Sequence, residues 1–437
     1  MLEKIKTILR PLVGQKFILW THRVRARLAN FVLGNPARDL KIIGVTGTNG
    51  KTTTCAFLGS ILRETGVKVA EATTVYFRIG DKISKNNLKM TTISAWQLQK
   101  FLLEAKRSDC EYAVLEITSH ALSQNRVWGI NFFASVLTNI THDHLDYHKN
   151  FTQYAKTKLK LFEGKPFISV INLDDPISEM FLKQEAYKVI TYGLGSKKPA
   201  VRASKIVSSG QGISFSLIAP QGQKNVLLKM AGKFNIYNAL AAASVGLGIG
   251  MTLEGVKRGL EKVESVRGRF EKIKKGQPFG VILDYAHTPD AFLKIYEAVK
   301  PLAKKRIIAV FGATGNRDMS KRPILGEVAS AGADVIILTD EDPYTENPSD
   351  IIRQVEQGID KKKFILGKNF YKILDRKLAI RKAFEIATEG DLVLITGKGH
   401  EEMTAVANPR DGRLSILVTF NERKVVESEL SALGFRK

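Results

Sequence analysis

"GVTGTNGKTTT", residues 44–54, is the stretch whose reading decides the fold. It follows an apolar run, "KIIGVTG" (41–47), and opens into helical spacing over 53–65. A strand, a glycine-rich loop and a helix N-terminus together present backbone N–H groups that cradle phosphates. In such a loop Lys51 reaches the β- and γ-phosphates and the Thr52 hydroxyl is placed to ligate Mg²⁺. Strict P-loop spacing would put glycine at 45, where this chain has Val45, with glycines at 44, 47 and 50. Packing alone explains a glycine-rich turn, but not a lysine followed by three threonines at a buried strand end. Gly47, Thr48, Asn49, Gly50, Lys51, Thr52 and Thr53 are therefore the expected nucleotide-binding residues.

Outward from the loop, short apolar runs alternate with helical periodicity: "YAVLEIT" (112–118), "FASVLTNI" (133–140) and "PFISVINLD" (166–174) read as strands, 94–107 as a helix. A lysine-rich, β-patterned stretch from about 186 to 231 breaks the rhythm, and "GKFNIYNALAAASVGLGIGM" reads as a buried helix. Past "VRGRFEKIKKGQ" the alternation restarts with "FGVILDYA", "RIIAVFGATG", "DVIILTD" and "DLVLITGKG". The expected fold is α/β, a P-loop ATPase central domain with a mostly parallel sheet and a Rossmann-like C-terminal α/β domain. The expected division is a short basic helical segment (1–40), a central ATP-binding domain (41–265) and a C-terminal domain (266–437).

The chain has 437 residues, 44% hydrophobic, enough for two or three domains with real cores. Two cysteines, Cys55 and Cys110, in unrelated contexts give no disulfide framework and no cysteine metal motif, which suits a reducing cytoplasm. A net charge of +24 suits polyanions, yet the lysines are spread along the chain without an aromatic-interleaved basic stripe. The first forty residues intersperse Lys4, Lys6, Arg10, Lys16, Arg23, Arg25 and Arg27 with apolar residues, so no run approaches the roughly 18 that a membrane span needs. An amphipathic basic helix in contact with a membrane surface and a helix packed on its own protein both fit this pattern.

Glu116 ends a buried strand, where a lone carboxylate is costly unless paired or bound to metal. "THDHLDYH" crowds His142, Asp143, His144, Asp146 and His148 together; by itself this could be a transition-metal site. "LTDEDPYTENPSD" (338–350) is an acidic island whose end, from Pro348, reads as a helix start and whose beginning follows a strand.

Read in order, "TGTNGKTT", "EITSHAL", "TNITHDHLDYH", "YAKTK", "GKFNIYNALAA", "GRFE", "DYAHTPDA", "GNRDMSKRP" and "GKGHE" resemble the motif series of the Mur ligases over nearly all of 41–437. "MTT" (90–92), "SHALSQNRV" and "DYAHTPDAF" are most similar to the MurE type. The resemblance implies an ATP- and Mg²⁺-dependent amide ligase of peptidoglycan synthesis: ATP activates a carboxylate as an acyl phosphate, which an amine then attacks. It implies UDP-N-acetylmuramoyl-L-Ala-D-Glu as acceptor and a free diamino acid, such as lysine, ornithine or diaminopimelate, as the group added. By the same resemblance Lys51, Glu116, His144 and Lys156 carry the catalysis. Thr52, Glu116, His144 and Lys156, as a carbamate, hold the metal; Asn238, Arg269 and Asp284 lie on the nucleotide side. Thr91, Thr92, Thr118, Gln124 and Arg126 hold the acceptor, and Arg317, Glu341, Asp342, Pro343, Tyr344, Gly397 and Glu401 the incoming amino acid.

Two departures stand out. About forty residues precede the loop, where relatives carry a uridine-nucleotide-gripping domain, so a ligase with a non-UDP acceptor, polyglutamyl or cyanophycin-like, is the second expectation. Diaminopimelate-adding relatives carry Asp-Asn-Pro-Arg where this chain has Glu341, Asp342, Pro343 and Tyr344. A tyrosine cannot replace a bidentate cation, and two carboxylates suit an ammonium, which points to lysine or ornithine. A nucleic-acid-binding ATPase is a distant third expectation that leaves the ordered motifs without a role. The chain is expected to be a cytoplasmic monomer without nucleic-acid partners.

Overall fold

The computed structural model describes residues 15–435 other than 196, 210 and 211. Its frame is two sheets. The first has 11 strands. Its centre is parallel: Lys188–Gly193, Ile168–Asn172, Phe132–Leu137, Lys41–Thr46, Cys110–Glu116 and Lys68–Ala72 follow one another in space. Every residue of Ile168–Asn172 is buried, as are Ile42 to Thr46, because helices cover both faces of a parallel sheet. Tyr76–Ile79 and Lys82–Lys85 add antiparallel at one edge; at the other, Val201–Ser209 joins in parallel and starts an antiparallel meander with Gly212–Ala219 and Gly222–Leu228. The meander is the β-patterned, lysine-rich stretch; its outer residues face water and need not be apolar.

The helix Lys51–Arg63 packs against Lys233–Gly248 in one of two cores that sandwich this sheet. Lys233–Gly248 is buried on nearly all sides, and its alanines and glycines allow that close approach. The second sheet has six strands, of which Gly280–Asp284, Leu392–Thr396, Ile307–Phe311, Val335–Leu338 and Phe370–Lys372 are parallel neighbours in that order. It too lies between two cores. A hairpin, Met403–Asn408 with Asp411–Thr419, stands apart from it. The C-terminal ends of the central strands in both sheets open toward one shared cavity, where open α/β sheets bind ligands.

The helix Gln15–Val32 packs on Ala95–Arg107. Residues 1–14 lie outside the described residues, so that part of the expected basic segment receives no structural account. No helix among the described residues is long and apolar enough to cross a membrane.

Candidate active site

The phosphate loop owes its shape to two glycines. Gly47 has φ +148, and a Cβ there would sit 1.8 Å from Thr138 Oγ1; Gly50 has φ +84, and a Cβ there would sit 2.1 Å from Asn238 Oδ1. Thr138 Oγ1 donates to the Asn49 carbonyl at 2.7 Å and the Thr48 amide donates to the Asn139 carbonyl at 2.7 Å, which pins the loop to the next strand end. The loop therefore faces a cavity of about 710 Å³ lined from both sheets.

Two lysines converge on one carbonyl. Lys51 Nζ donates to Gly47 O at 3.1 Å and to Thr48 O at 2.8 Å, and Lys158 Nζ donates to Gly47 O at 2.7 Å. Neither forms an ion pair among the described residues. Burial pushes both ammonium groups down, Lys158 well down, with Lys51 adding like-charge repulsion at Lys158. Here the expectation for Lys156 needs correcting. Lys156 is exposed and does not line the cavity, whereas Lys158 is 1% exposed and does. Both sit on the helix Phe151–Leu159, where residues two apart point about 200° from each other. Tyr154, four before Lys158, is buried on the same face, with its hydroxyl 3.1 Å from Thr48 Oγ1.

Glu116 is 3% exposed at its strand end and accepts from Thr52 Oγ1 at 2.9 Å and from the Thr74 amide at 2.8 Å, both neutral donors. A buried carboxylate on neutral donors beside a phosphate loop suits a cation. His144 lines the same cavity, its ring edge-on to His120 at 4.8 Å; burial lowers its pKa to about 3 and that of His120 to about 4, which leaves both neutral and able to ligate. The histidine-rich run does not gather into one site. His142 turns to Asp318 at 3.3 Å and His148 to Ser119 Oγ at 2.9 Å. No group of three or more His, Cys, Asp or Glu among the described residues is arranged to hold a metal by itself.

On the nucleotide side, Arg269 donates to Thr52 Oγ1 at 3.3 Å with its guanidinium 4.4 Å from the Tyr285 ring centre. Asp284 accepts from the Phe270 and Ala286 amides at 2.7 Å each, so its first task is to hold that turn. Asn238 lines the cavity, as do Asp174 and Tyr237, joined by a 2.9 Å hydrogen bond, which the sequence reading did not single out.

A second wall groups Thr91, Thr92, Thr118 and Arg126 along the cavity. Thr92 donates to Glu116 O at 2.8 Å and lies 3.3 Å from the Thr118 hydroxyl, while Arg126 is held by Gln124, Nε to Oε1 at 2.9 Å. Gln124 thus stands behind the arginine and not on the cavity wall. Of the residues expected to hold the amino acid, Arg317 lines the cavity and the others lie behind it at the strand ends of the second sheet, where the composition differs. Asp342, 6% exposed, accepts from Lys398 at 3.0 Å, Lys89 at 3.1 Å and the Ala405 amide. Glu401 accepts from Lys398 at 2.8 Å, with Lys89 at 3.4 Å, and Glu341 accepts from Thr314 at 2.7 Å. Gly397, φ +108, lies so close that a Cβ would sit 2.2 Å from Glu341 Oε2. Gly315 donates to the Asp342 carbonyl and packs on Pro343. Tyr344 has φ 53, and the exposed Arg317 guanidinium lies 5.7 Å from its ring centre. Asp342 is matched by Lys398 and Lys89, Glu341 is buried against Thr314, and neither carboxylate lines the cavity, which removes the ground for an ammonium pocket. Lys89, from the other sheet's side, and Lys398 were not singled out, although Lys398 lies inside "GKGHE" and Lys89 directly precedes "MTT".

A phosphate loop that faces a second α/β domain across one cavity, with Arg126, Lys89 and Arg317 on its lining, is the arrangement of an ATP-dependent ligase. Known proteins narrow this. Residues 45–246 match the Mur ligase middle domain and 268–399 the Mur ligase, glutamate ligase domain. The UDP-N-acetylmuramyl-tripeptide synthetase of Roseiflexus sp. (strain RS-1) is 42% identical over 393 residues, 86% of this chain and 77% of the relative. The UDP-N-acetylmuramoyl-L-alanyl-D-glutamate--2,6-diaminopimelate ligase of Geobacillus kaustophilus (strain HTA426) is 39% identical over 95% of this chain and 83% of its own. A solved structure of a ligase of that same description superposes with TM-score 0.63 at 32% identity, covering 94% of this chain and 83% of that one. The chain belongs to the Mur ligase family and, within it, to the MurE type, the tripeptide synthetases of peptidoglycan synthesis. It is an ATP-dependent amide ligase.

Proposed function

We propose that this ligase joins a diamino acid, diaminopimelate first, to UDP-N-acetylmuramoyl-L-Ala-D-Glu with cleavage of ATP to ADP and phosphate. The observation that carries the reading is the single cavity that joins the phosphate loop, the wall of Thr92, Thr118 and Arg126, and Arg317. The acceptor and amino acid come from the relatives' names. Arg126, oriented by Gln124, would hold the acceptor through a charge-assisted pair. Its free carboxylate would attack the γ-phosphate, and ADP would leave. The amine then attacks the acyl carbon, and phosphate departs as the amide forms. Lys51 would neutralise charge developing on the transferred phosphoryl group. Mg²⁺ would bind at Glu116, Thr52 and His144 and supply further charge neutralisation on the phosphates when present.

Lys158, not Lys156, is the residue we propose to bear a carbamate. Addition of CO₂ needs an uncharged amine, and burial beside Lys51 favours that form. Arg317 is the exposed cation open to the distal carboxylate of diaminopimelate. Lysine or ornithine is the second reading, favoured by Tyr344 in place of an arginine. Mass analysis of product from an equimolar mixture of the three, with ATP, Mg²⁺ and the UDP-linked dipeptide, separates them. A diaminopimelate adduct is expected; no adduct and no phosphate release would overturn the reading.

A further inference from the structure

The helix Gln15–Val32 has two faces of opposite kind. Ala26, Ala29 and Asn30 are buried against the protein. Phe17, Trp20, Val24, Leu28 and Phe31 turn outward, between 42% and 84% exposed. At about 100° per residue these five fall within an arc of about 80°. The same projection puts Arg23 and Arg27 along one edge of the stripe and Arg25 along the other, all three exposed. The helix contains no Asp or Glu. At about 1.5 Å per residue it is long enough, about 27 Å, to lie flat on a surface.

Charge selects the occupant of this face. A second copy would set the same arginines edge to edge. Residues 1–14, with Lys4, Lys6 and Arg10 against one Glu3, also bring like charge. An anionic lipid surface brings the opposite charge and takes aromatic and leucine side chains at the headgroup boundary. We propose that this helix seats the enzyme on an anionic membrane surface, with Phe17, Trp20, Val24, Leu28 and Phe31 inserted and Arg23, Arg25 and Arg27 at lipid phosphates. Arg27 lies 5.4 Å from the Trp128 ring centre and Asn30 packs on Gly129, just after Gln124 and Arg126, so the acceptor wall is tied to the docked helix.

The full chain is tested by co-sedimentation with phosphatidylglycerol-containing vesicles and with pure phosphatidylcholine vesicles. Binding to the first, weak binding to the second, and release by salt are expected. Phe17→Ser/Trp20→Ser/Phe31→Ser lowers binding on the order of a hundredfold, and Arg23→Gln/Arg25→Gln about thirtyfold, with ligase activity in solution unchanged. Brominated acyl chains quench the wild-type tryptophan fluorescence, and Trp20→Phe removes that quenching. Absence of binding to anionic vesicles, binding that both variants retain, or a dimer in light scattering that the triple variant dissociates would each overturn the proposal.

Discussion

The mouths of the two sheets solve the same electrostatic problem in opposite ways. At the phosphate loop, Lys51 and Lys158 are drawn to one carbonyl without carboxylate ion pairs among the described residues, and Glu116 rests on neutral donors. That mouth is incomplete without the charges of its ligand. At the C-terminal domain, Lys89 and Lys398 are already matched to Asp342 and Glu401. That mouth is neutralised internally, and the cation it presents on the cavity lining is the exposed Arg317. Unpaired groups report on a ligand; paired ones report on the frame that receives it.

Substitutions can break this contrast at either mouth. Lys51→Ala removes a cation that meets phosphate directly, and kcat should fall about a thousandfold with thermal stability unchanged or raised, since a buried amine is removed. Arg126→Ala should raise the acceptor KM about a hundredfold and leave the ATP KM within about twofold, as measured by initial rates. Lys89→Met leaves Asp342 and Glu401 with Lys398 alone, and should raise the amino-acid KM about tenfold without a matching change for ATP. Equal effects on all three substrates would mean that the two mouths are not electrically separate.

A smaller effect lies away from the cavity. Asp391 is buried, and although burial pushes its carboxyl up, hydrogen bonds from Arg306, Thr388 and their amides hold it at about 2. Its pKa in the unfolded chain is about 3.9, so the stability it contributes is complete above that value and is lost as pH falls from about 4 to about 2. Asp391→Asn should destabilise by about 2 kcal/mol at pH 7 and flatten that part of the acid limb in urea titrations, with kcat unaffected.

The same contrast explains what was legible in the sequence. The phosphate loop is local, so glycines, lysine and threonines stand next to one another, and the parallel sheet behind it shows as uninterrupted apolar runs. The place of Arg126 and Thr118 on the cavity lining was legible through an ordered motif. The pairs Lys89–Asp342 and Lys398–Asp342 join residues 253 and 56 positions apart, and no local pattern announces such partners. Lys158 was within reach: helical spacing from Tyr154 leads to 158, not to 156. The acidic island at 338–350 divides. Asp342 is an internal counter-ion, Glu346 pairs with the buried Arg322, and Asn347 caps the helix Pro348–Glu356.

The most direct measurement is the rate of tripeptide product formation for Lys156→Ala and Lys158→Ala beside the unaltered chain, with short carboxylic acids added in a second series. Lys156→Ala should keep its rate within about twofold, whereas Lys158→Ala should lose about a thousandfold and recover part of it with the added carboxylate. An inactive Lys156→Ala together with an active Lys158→Ala would contradict the site as described.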